Sequence, residues 1–508
     1  MQTIIYFLLS ITYYLAFTFT YSRGASLGFL AGLGVFIVLQ VLAFNPRGFN
    51  LKFLYTFKPI FIVLIIFLFI NLLFGSALMG DFKLIKQNAP PARPAISVGT
   101  QLENGGSESG QIRLIVWKGA LEIFKNNFLL GSGVETFAQT YYQYRPKEHN
   151  YTSEWDFLYN KAHNEYLNYL ATTGLVGFLS YLAIILIFIV YSIWYIVYGK
   201  KEIQNTKYKI LNTSLLASYM SYLIQNIFGF SVVIIAVFFY LFPGFAFLVA
   251  DSIKEVNASK RLSSIRYLLY ATLYRRQLYS YIFLGFIFLT AAYLIYSLNL
   301  MYRADIHFAK GSQALEQENP GRAYNELLEA VEQNPIEPVY RSYLSLSAAT
   351  AASGLLGEDK KIAEELKDVA LFEAELILKT YPQNVSYLRN AISTYFALSA
   401  LDPKYLNQAL DVVNRAIKLA PTDPKLLVNK AIVLEEIGKK KEVEEAYKFA
   451  INLKPDYAEA HFGLAYFYEK QKDKENAIKE YKEVLKIVPG HPEALQKVGE
   501  LEKNNAGK

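Results

Sequence analysis

Residues 174–198, GLVGFLSYLAIILIFIVYSIWYIVY, run for 25 positions without a charged side chain. A helix that is apolar on every face cannot sit on a water-exposed surface, and about 20 such residues are enough to cross the hydrocarbon core of a bilayer. The stretch therefore reads as a membrane-spanning helix. Six others of the same kind lie at 3–20, 25–43, 59–76, 211–227, 230–250 and 279–300. Leu215 to Ala250 is almost continuous, with only Gln225, Asn226 and Gly229 marking a turn, so one long broken helix competes with two separate ones there.

The basic residues between these runs set an orientation. Arg47, Lys52 and Lys58 follow the second span, Lys200, Lys201, Lys207 and Lys209 the fourth, and Lys254, Lys260, Arg261, Arg266, Arg275 and Arg276 the sixth. Short loops rich in Lys and Arg stay cytoplasmic, which puts the Ser22–Arg23 turn, the loop 77–173, the Asn226–Phe230 turn and everything beyond residue 300 on the extracytoplasmic side of the cytoplasmic (inner) membrane. The expected organisation is spans 1–3 in residues 1–76, an outer loop with interfacial helices at 77–173, and spans 4–6 in 174–250. A basic linker at 251–278, span 7 at 279–300 and an outer domain at 301–508 complete it.

A hydrophobic content of 53% and a net charge of +7 fit this arrangement, and the loop placement of the basic residues excludes nucleic acid as the partner. The absence of cysteine removes disulfides, thiol nucleophiles and cysteine metal sites. The first apolar run passes through Tyr21, Ser22 and Arg23 into the second without a small-residue cleavage site, so it is expected to remain in the mature protein.

Beyond residue 303 the pattern changes from apolar runs to helical periodicity. Pro421, Pro455 and Pro489 are spaced 34 apart. Ahead of them stand Ala409, Val413 and Ala416; Val443, Tyr447 and Ala450; and Ala477, Tyr481 and Val484, with Ala397, Ala431 and Ala465 as small residues on the preceding helices. This resembles the tetratricopeptide repeat, in which small residues let two antiparallel helices approach and a proline ends the second. Two degenerate repeats are expected earlier, ending near Pro335 and Pro382. The fold class expected is all-α, a polytopic helical membrane domain followed by a tetratricopeptide-like α-solenoid that takes a protein partner.

The outer loop opens with a Pro- and Gly-rich stretch, Gln87 to Gly110, that resists regular structure. A helix containing Arg113-Leu-Ile-Val-Trp117 follows, then Gly131-Ser-Gly133, and then Ala162-His163-Asn164-Glu165-Tyr166-Leu167 leading to Gly174-Leu-Val-Gly177. With Ser22-Arg23-Gly24 between the first two spans, this order and spacing resemble the O-antigen ligase and polymerase family over residues 15–250. Family members carry several more spans ahead of the Ser-Arg-Gly turn, which implies a shortened N-terminal half here.

The resemblance implies a glycosyltransferase that moves a glycan from a polyprenyl pyrophosphate donor to a lipid, glycan or protein acceptor among membrane lipids. It points to Arg23, Arg113 and His163 as catalytic residues, with Arg23, Arg113, Trp117 and Asn164 in substrate binding. The residue types suit the chemistry. Arginine grips pyrophosphate oxygens in a forked geometry without losing its charge, and histidine is the usual base for an acceptor hydroxyl. Structural readings stand beside these: Arg23 as an interfacial helix end, Arg113 and Trp117, four apart, as a cation–π pair, and Asn164 as a helix cap.

His149-Asn150 duplicates the His-Asn pair without the helix and glycines that follow the other, and reads as a decoy. His307, His461 and His491 read as surface or packing residues. No metal spacing, phosphate-cradling loop or serine elbow occurs, so neither a metal nor another cofactor is expected. Two further functions are a protein O-oligosaccharyltransferase and an inactive, membrane-tethered repeat scaffold.

Overall fold

The computed structural model describes residues 2–20, 22–44, 58–75, 77, 108–198, 206–251 and 277–506. The basic loops around Arg47, Lys200 and Lys254, most of the Pro- and Gly-rich stretch and nearly all of the linker 251–278 lie outside the described residues. Among the described residues every regular element is helical. The chain divides into two compact units: Met1–Ser97, Val116–Phe137 and Tyr159–Ile265, and Val98–Ile115, Ala138–Leu158 and Arg266–Lys508.

The first unit holds α1 (Gln2–Thr18), α2 (Arg23–Phe44), α3 (Lys58–Phe74), α6 (Glu165–Tyr198), α7 (Thr206–Gln225), α8 (Val233–Asp251) and most of α4 (Glu108–Asn126). The helices over 211–250 are two, parted by the Asn226–Val232 turn, and not one broken span. Three helices of the chain are long and apolar enough to cross a membrane, at Arg23–Val41, Glu165–Val197 and Tyr281–Glu316, and shorter apolar helices cover Ile5–Thr18, Ile60–Phe74 and Ile235–Leu248.

The unit is built inside out relative to a soluble domain. Leu8, Leu30, Ile65, Ile187 and Leu248 face outward, whereas Gln40, Ser192, Asn212 and Thr213 are buried. That distribution suits a lipid surround, where outward apolar groups cost nothing and polar groups find partners between helices. α7 runs antiparallel to α2 through its polar centre, and the Gln40 amide donates to Thr213 Oγ1 at 2.6 Å. Close approach is possible because α2 presents Gly28 and Gly32: a Cβ on either would lie 2.6 Å from the Ser221 carbonyl oxygen or 2.8 Å from that of Ala217. α1 joins α3 through Tyr14, stacked on Phe67 with centroids 3.7 Å apart and accepting from the Asn71 amide at 2.7 Å.

In the second unit, α9 (Gln277–Glu316) runs unbroken for 40 residues. Its apolar first half is exposed on all sides, and from Ala304 onward it becomes the first helix of the repeat array. Helix pairs follow: α9 with α10 (Pro320–Gln333), α11 (Pro338–Leu355) with α12 (Lys360–Thr380), α13 (Val385–Leu398) with α14 (Tyr405–Leu419), α15 (Pro424–Ile437) with α16 (Lys440–Leu453), and α17 (Ala458–Lys470) with α18 (Lys474–Ile487). α19 (Pro492–Ala506) closes the array.

The second helix of each pair buries two small residues seven apart: Ala323 and Ala330, Ala363 and Ala370, Ala409 and Ala416, Val443 and Ala450, Ala477 and Val484, all with no exposure. Seven residues are two helical turns, so each pair faces the neighbouring helix in one stripe. One expectation needs correction. Ala431 and Ala465 each stand seven residues into their helix and are fully buried, but the matching position in α13 is Ile392, and Ala397 lies five residues later, half-buried. The connection Ser399–Lys404 is longer than Gly438–Lys439, so a strict count of 34 slips by one and a half turns there.

Candidate functional site

Three pieces of the first unit meet at the turn between α7 and α8. Arg23 opens α2 with its side chain exposed, and the next residue, Gly24, would place a Cβ 3.3 Å from Phe228 Cβ. The His163 ring stands edge-on to Phe230, centroids 5.1 Å apart, and to Tyr159 at 5.6 Å. Glu165 then locks the approach: its backbone N–H donates to the Asn226 carbonyl at 2.9 Å, and its buried carboxylate accepts from the Ser231 N–H at 3.1 Å. Tyr222 and Ser231 hydroxyls pair at 2.6 Å beneath it. The α1–α2 turn and the His163 loop thus share one anchor.

His163 itself has φ +53°. The left-handed region costs a non-glycine residue on the order of 1 kcal/mol and persists only where its surroundings enforce it. Here they do. Lys161 is ion-paired with Glu135 on one side, and on the other Asn164 caps α6, its Oδ1 accepting from the Leu167 N–H at 3.0 Å. Asn164 is buried, and the hydrogen bond is the one a helix N-cap makes.

The glycines of the loop act on α6. Gly174 breaks that helix at φ 64°, ψ −165°, a conformation essentially confined to glycine. A Cβ at Gly174 would lie 2.5 Å from Gly131 N, and one at Gly131 (φ +70°) 2.3 Å from the Thr172 carbonyl carbon. The two backbones clasp each other: Ser132 and Gly133 donate to Ala171 and Thr172, while Leu175 and Val176, restarting the helix, donate to Phe128 and Leu129. The kink therefore leaves few backbone groups without partners.

Arg113 and Trp117 lie on α4. Trp117 belongs to the first unit, beside the buried Val116, Ala120 and Ile123, and its buried indole N–H has no hydrogen-bond acceptor among the described residues. Arg113, half-buried, groups with the second unit. Among the described residues no group of three or more His, Asp and Glu side chains has metal-binding geometry.

The second unit contains an arrangement the sequence did not announce. Residues 138–158, from the middle of the outer loop, fold as α5 (Phe137–Tyr144) and a short 3₁₀ turn (Lys147–Tyr151) against the repeats. Asn150, fully buried, donates to the Thr422 carbonyl at 2.8 Å and the Leu453 carbonyl at 3.3 Å, and its Oδ1 accepts from Arg145 at 2.7 Å. Lys454 returns a bond to the Asn150 carbonyl at 3.0 Å. Trp155 packs on Tyr457 under the Lys454 ammonium, 4.9 Å from its ring, and Asp156 pairs with Lys425.

His149, set aside as a decoy for catalysis, is the keystone of this segment. Its Nε2 faces the Glu154 carbonyl at 3.1 Å and so carries the proton, leaving Nδ1 to accept from the Tyr141 hydroxyl at 2.9 Å. Burial, and then the Arg145 charge, push its pKa down to about 4. Only the clustering of Arg145, His149, Asn150 and Trp155 within an aromatic-rich stretch of the loop hinted at a buried role.

Residues 5–182 match the family model described as O-antigen ligase, and residues 428–492 that described as tetratricopeptide repeat. No curated protein matches the chain. Similar solved structures include a thermophilic tetratricopeptide-repeat protein of Thermus thermophilus, 19% identical, covering 39% of this chain and 98% of that one at a TM-score of 0.33. MamA of Desulfovibrio magneticus is 16% identical, covering 37% of this chain and 97% of that one at 0.28. YrrB, described as having an unusual peptide-binding site, is 16% identical, covering 37% and 89% at 0.25. The chain thus carries one segment, residues 5–182, similar to the O-antigen ligase family and another, residues 428–492, similar to the tetratricopeptide repeat.

Proposed function

We propose that the chain is a metal-independent glycosyltransferase of the O-antigen ligase type, using a polyprenyl pyrophosphate-linked glycan as donor on the outer face of the cytoplasmic membrane. The observation that carries this reading is the shared anchor of the Arg23 turn and the His163 loop at Asn226–Ser231, with Arg23 and His163 both inside the segment, residues 5–182, that matches the ligase family. His163 takes the proton from the acceptor hydroxyl as its oxygen attacks the anomeric carbon. The bond from that carbon to the pyrophosphate oxygen breaks, and the electron pair leaves with the polyprenyl pyrophosphate. Arg23 and Arg113 receive the negative charge that grows there. Trp117 and Asn164 line the sugar-binding side, and the acceptor is a lipid, glycan or protein hydroxyl.

A shared membrane side for loop and repeats is supported by the docking of residues 138–158 on the repeats, and the basic loops of the sequence make that side the outer one in this reading. The four helices between them, α6 to α9, keep both on one side if each of them crosses the bilayer. The test is transfer by the full chain in lipid vesicles from a polyprenyl pyrophosphate oligosaccharide. His163→Gln is expected to lower the rate roughly 10²- to 10⁴-fold, and Arg23→Ala to weaken it more than Arg23→Lys. Full activity in His163→Gln would overturn the assignment.

A further inference from the structure

The docked segment lies between the two loop motifs assigned above. It begins just after Gly131-Ser-Gly133 and ends at Leu158, five residues before His163. Its contacts fall on corresponding parts of the repeat array: Thr422 is in the turn from the third repeat to the fourth, and Leu453 and Lys454 are at the turn from the fourth to the fifth. Asn150 bridges the two turns by donating to a carbonyl of each. Arg145 adds a bond to the Thr422 carbonyl at 3.3 Å and one to the Trp155 carbonyl at 2.9 Å, and Thr422 Oγ1 donates back to the Arg145 carbonyl at 3.1 Å.

These bonds are reciprocal, buried or partly buried, and largely between side chains and main chain. Main-chain carbonyls at repeat ends are where a solenoid leaves acceptors unused, and a peptide that supplies amide and guanidinium donors satisfies them. Trp155 brings the anchor that such interfaces centre on, a large ring packed on Tyr457 and covered by Lys425 at 5.2 Å and Lys454.

We infer that the fourth repeat and its two flanking turns are an intramolecular receptor for residues 138–158, and that Asn150, Arg145 and Trp155 are positioning residues that hold the chain leading into His163. The role of His163 rests on the transferase reading; the receptor does not. Along this edge the repeat domain serves its own outer loop, so an external protein partner has to use another face or displace the segment.

The chain has no cysteine, so an introduced pair reports without background. In the full chain in vesicles, Asn150→Ala is expected to raise hydrogen exchange at residues 147–157 at least tenfold while α15–α18 keep their protection. Transfer is expected to fall by a similar factor through kcat, with the donor KM little changed. Asp156→Cys with Lys425→Cys, joined by a short dimaleimide linker in the Asn150→Ala background, is expected to restore both protection and rate, since it spans the former ion pair and adds no catalytic group. A segment that exchanges as an open peptide in the unaltered chain overturns the receptor. Release of the segment with transfer unchanged, or a cross-link that restores protection without rate, overturns the positioning role. Full transfer by His163→Gln sinks the transferase assignment, and the exchange arm still decides the receptor.

Discussion

Replacing Gly174 by alanine tests whether the clasp with Gly131 holds the outer loop to the membrane helices. The alanine must adopt φ 64°, ψ −165°, at about 1–3 kcal/mol. Its Cβ would also lie 2.5 Å from Gly131 N and from the carbonyl carbon and oxygen of Leu129. All three are backbone atoms with no rotamer to escape into, so the two backbone segments must part. Parting them forfeits the bonds from Leu175 and Val176 to Phe128 and Leu129, at 2.8 and 3.2 Å, worth about 1 kcal/mol each. The expected loss is about 3–5 kcal/mol.

Gly34→Ala is the matched control. Nothing lies within 4 Å of its Cβ, and in mid-helix the change should gain about 0.5–1 kcal/mol. Apparent thermal midpoints in one detergent and at one scan rate should rank Gly34→Ala at or above the unaltered chain. Gly174→Ala should fall roughly 6–20 °C below it, at about 2–4 °C per kcal/mol. A Gly174→Ala midpoint equal to that of the control would refute the clasp.

Acidification should release the docked segment. His149 is held neutral with a pKa near 4 by burial and by Arg145, with the Tyr141 hydroxyl and the Glu154 carbonyl filling its ring nitrogens, against 6.5 when exposed. Above pH 6.5 both forms are neutral and docking is at full strength. Between 6.5 and about 4 only the released segment takes the proton, so docking weakens by about 1.4 kcal/mol per pH step, to a total near ~3 kcal/mol. Hydrogen exchange at residues 147–151, corrected for intrinsic rates, measures this, and protection constant from pH 7 to 4.5 contradicts it. At Asn164, alanine should cost about 1 kcal/mol as a lost cap, whereas aspartate keeps the cap and removes only the amide donor. A stable Asn164→Asp chain with reduced transfer assigns a substrate contact, and unchanged transfer confines the residue to capping.

The features legible in the sequence are those with a period or a length. Apolar runs became helices, and the 34-residue spacing of Pro421, Pro455 and Pro489 became repeats whose paired small residues recur in every second helix. Ala397 escaped because a period is blind to a lengthened connection. Gly174 read only as the first residue of an apolar run, and the backbone of residues 128–133 explains why the helix begun at Glu165 kinks there. The docked segment was illegible for a related reason. Asn150 bonds to carbonyls of Thr422 and Leu453, and main-chain acceptors leave no trace in the identity of the residues that carry them. His149-Asn150 lacked the context of a ligase motif, which was a sound reason to discount catalysis and said nothing about a structural role.

α9 has a mechanical consequence. At 1.5 Å per residue its 40 residues make a rod of about 60 Å, apolar through its first half and built into the first repeat from Ala304 onward. A rod without a joint transmits rotation. Tilting is one way a spanning helix answers a mismatch between its apolar length and the bilayer, and wherever α9 tilts, its far end carries the first repeat with it like the arm of a lever.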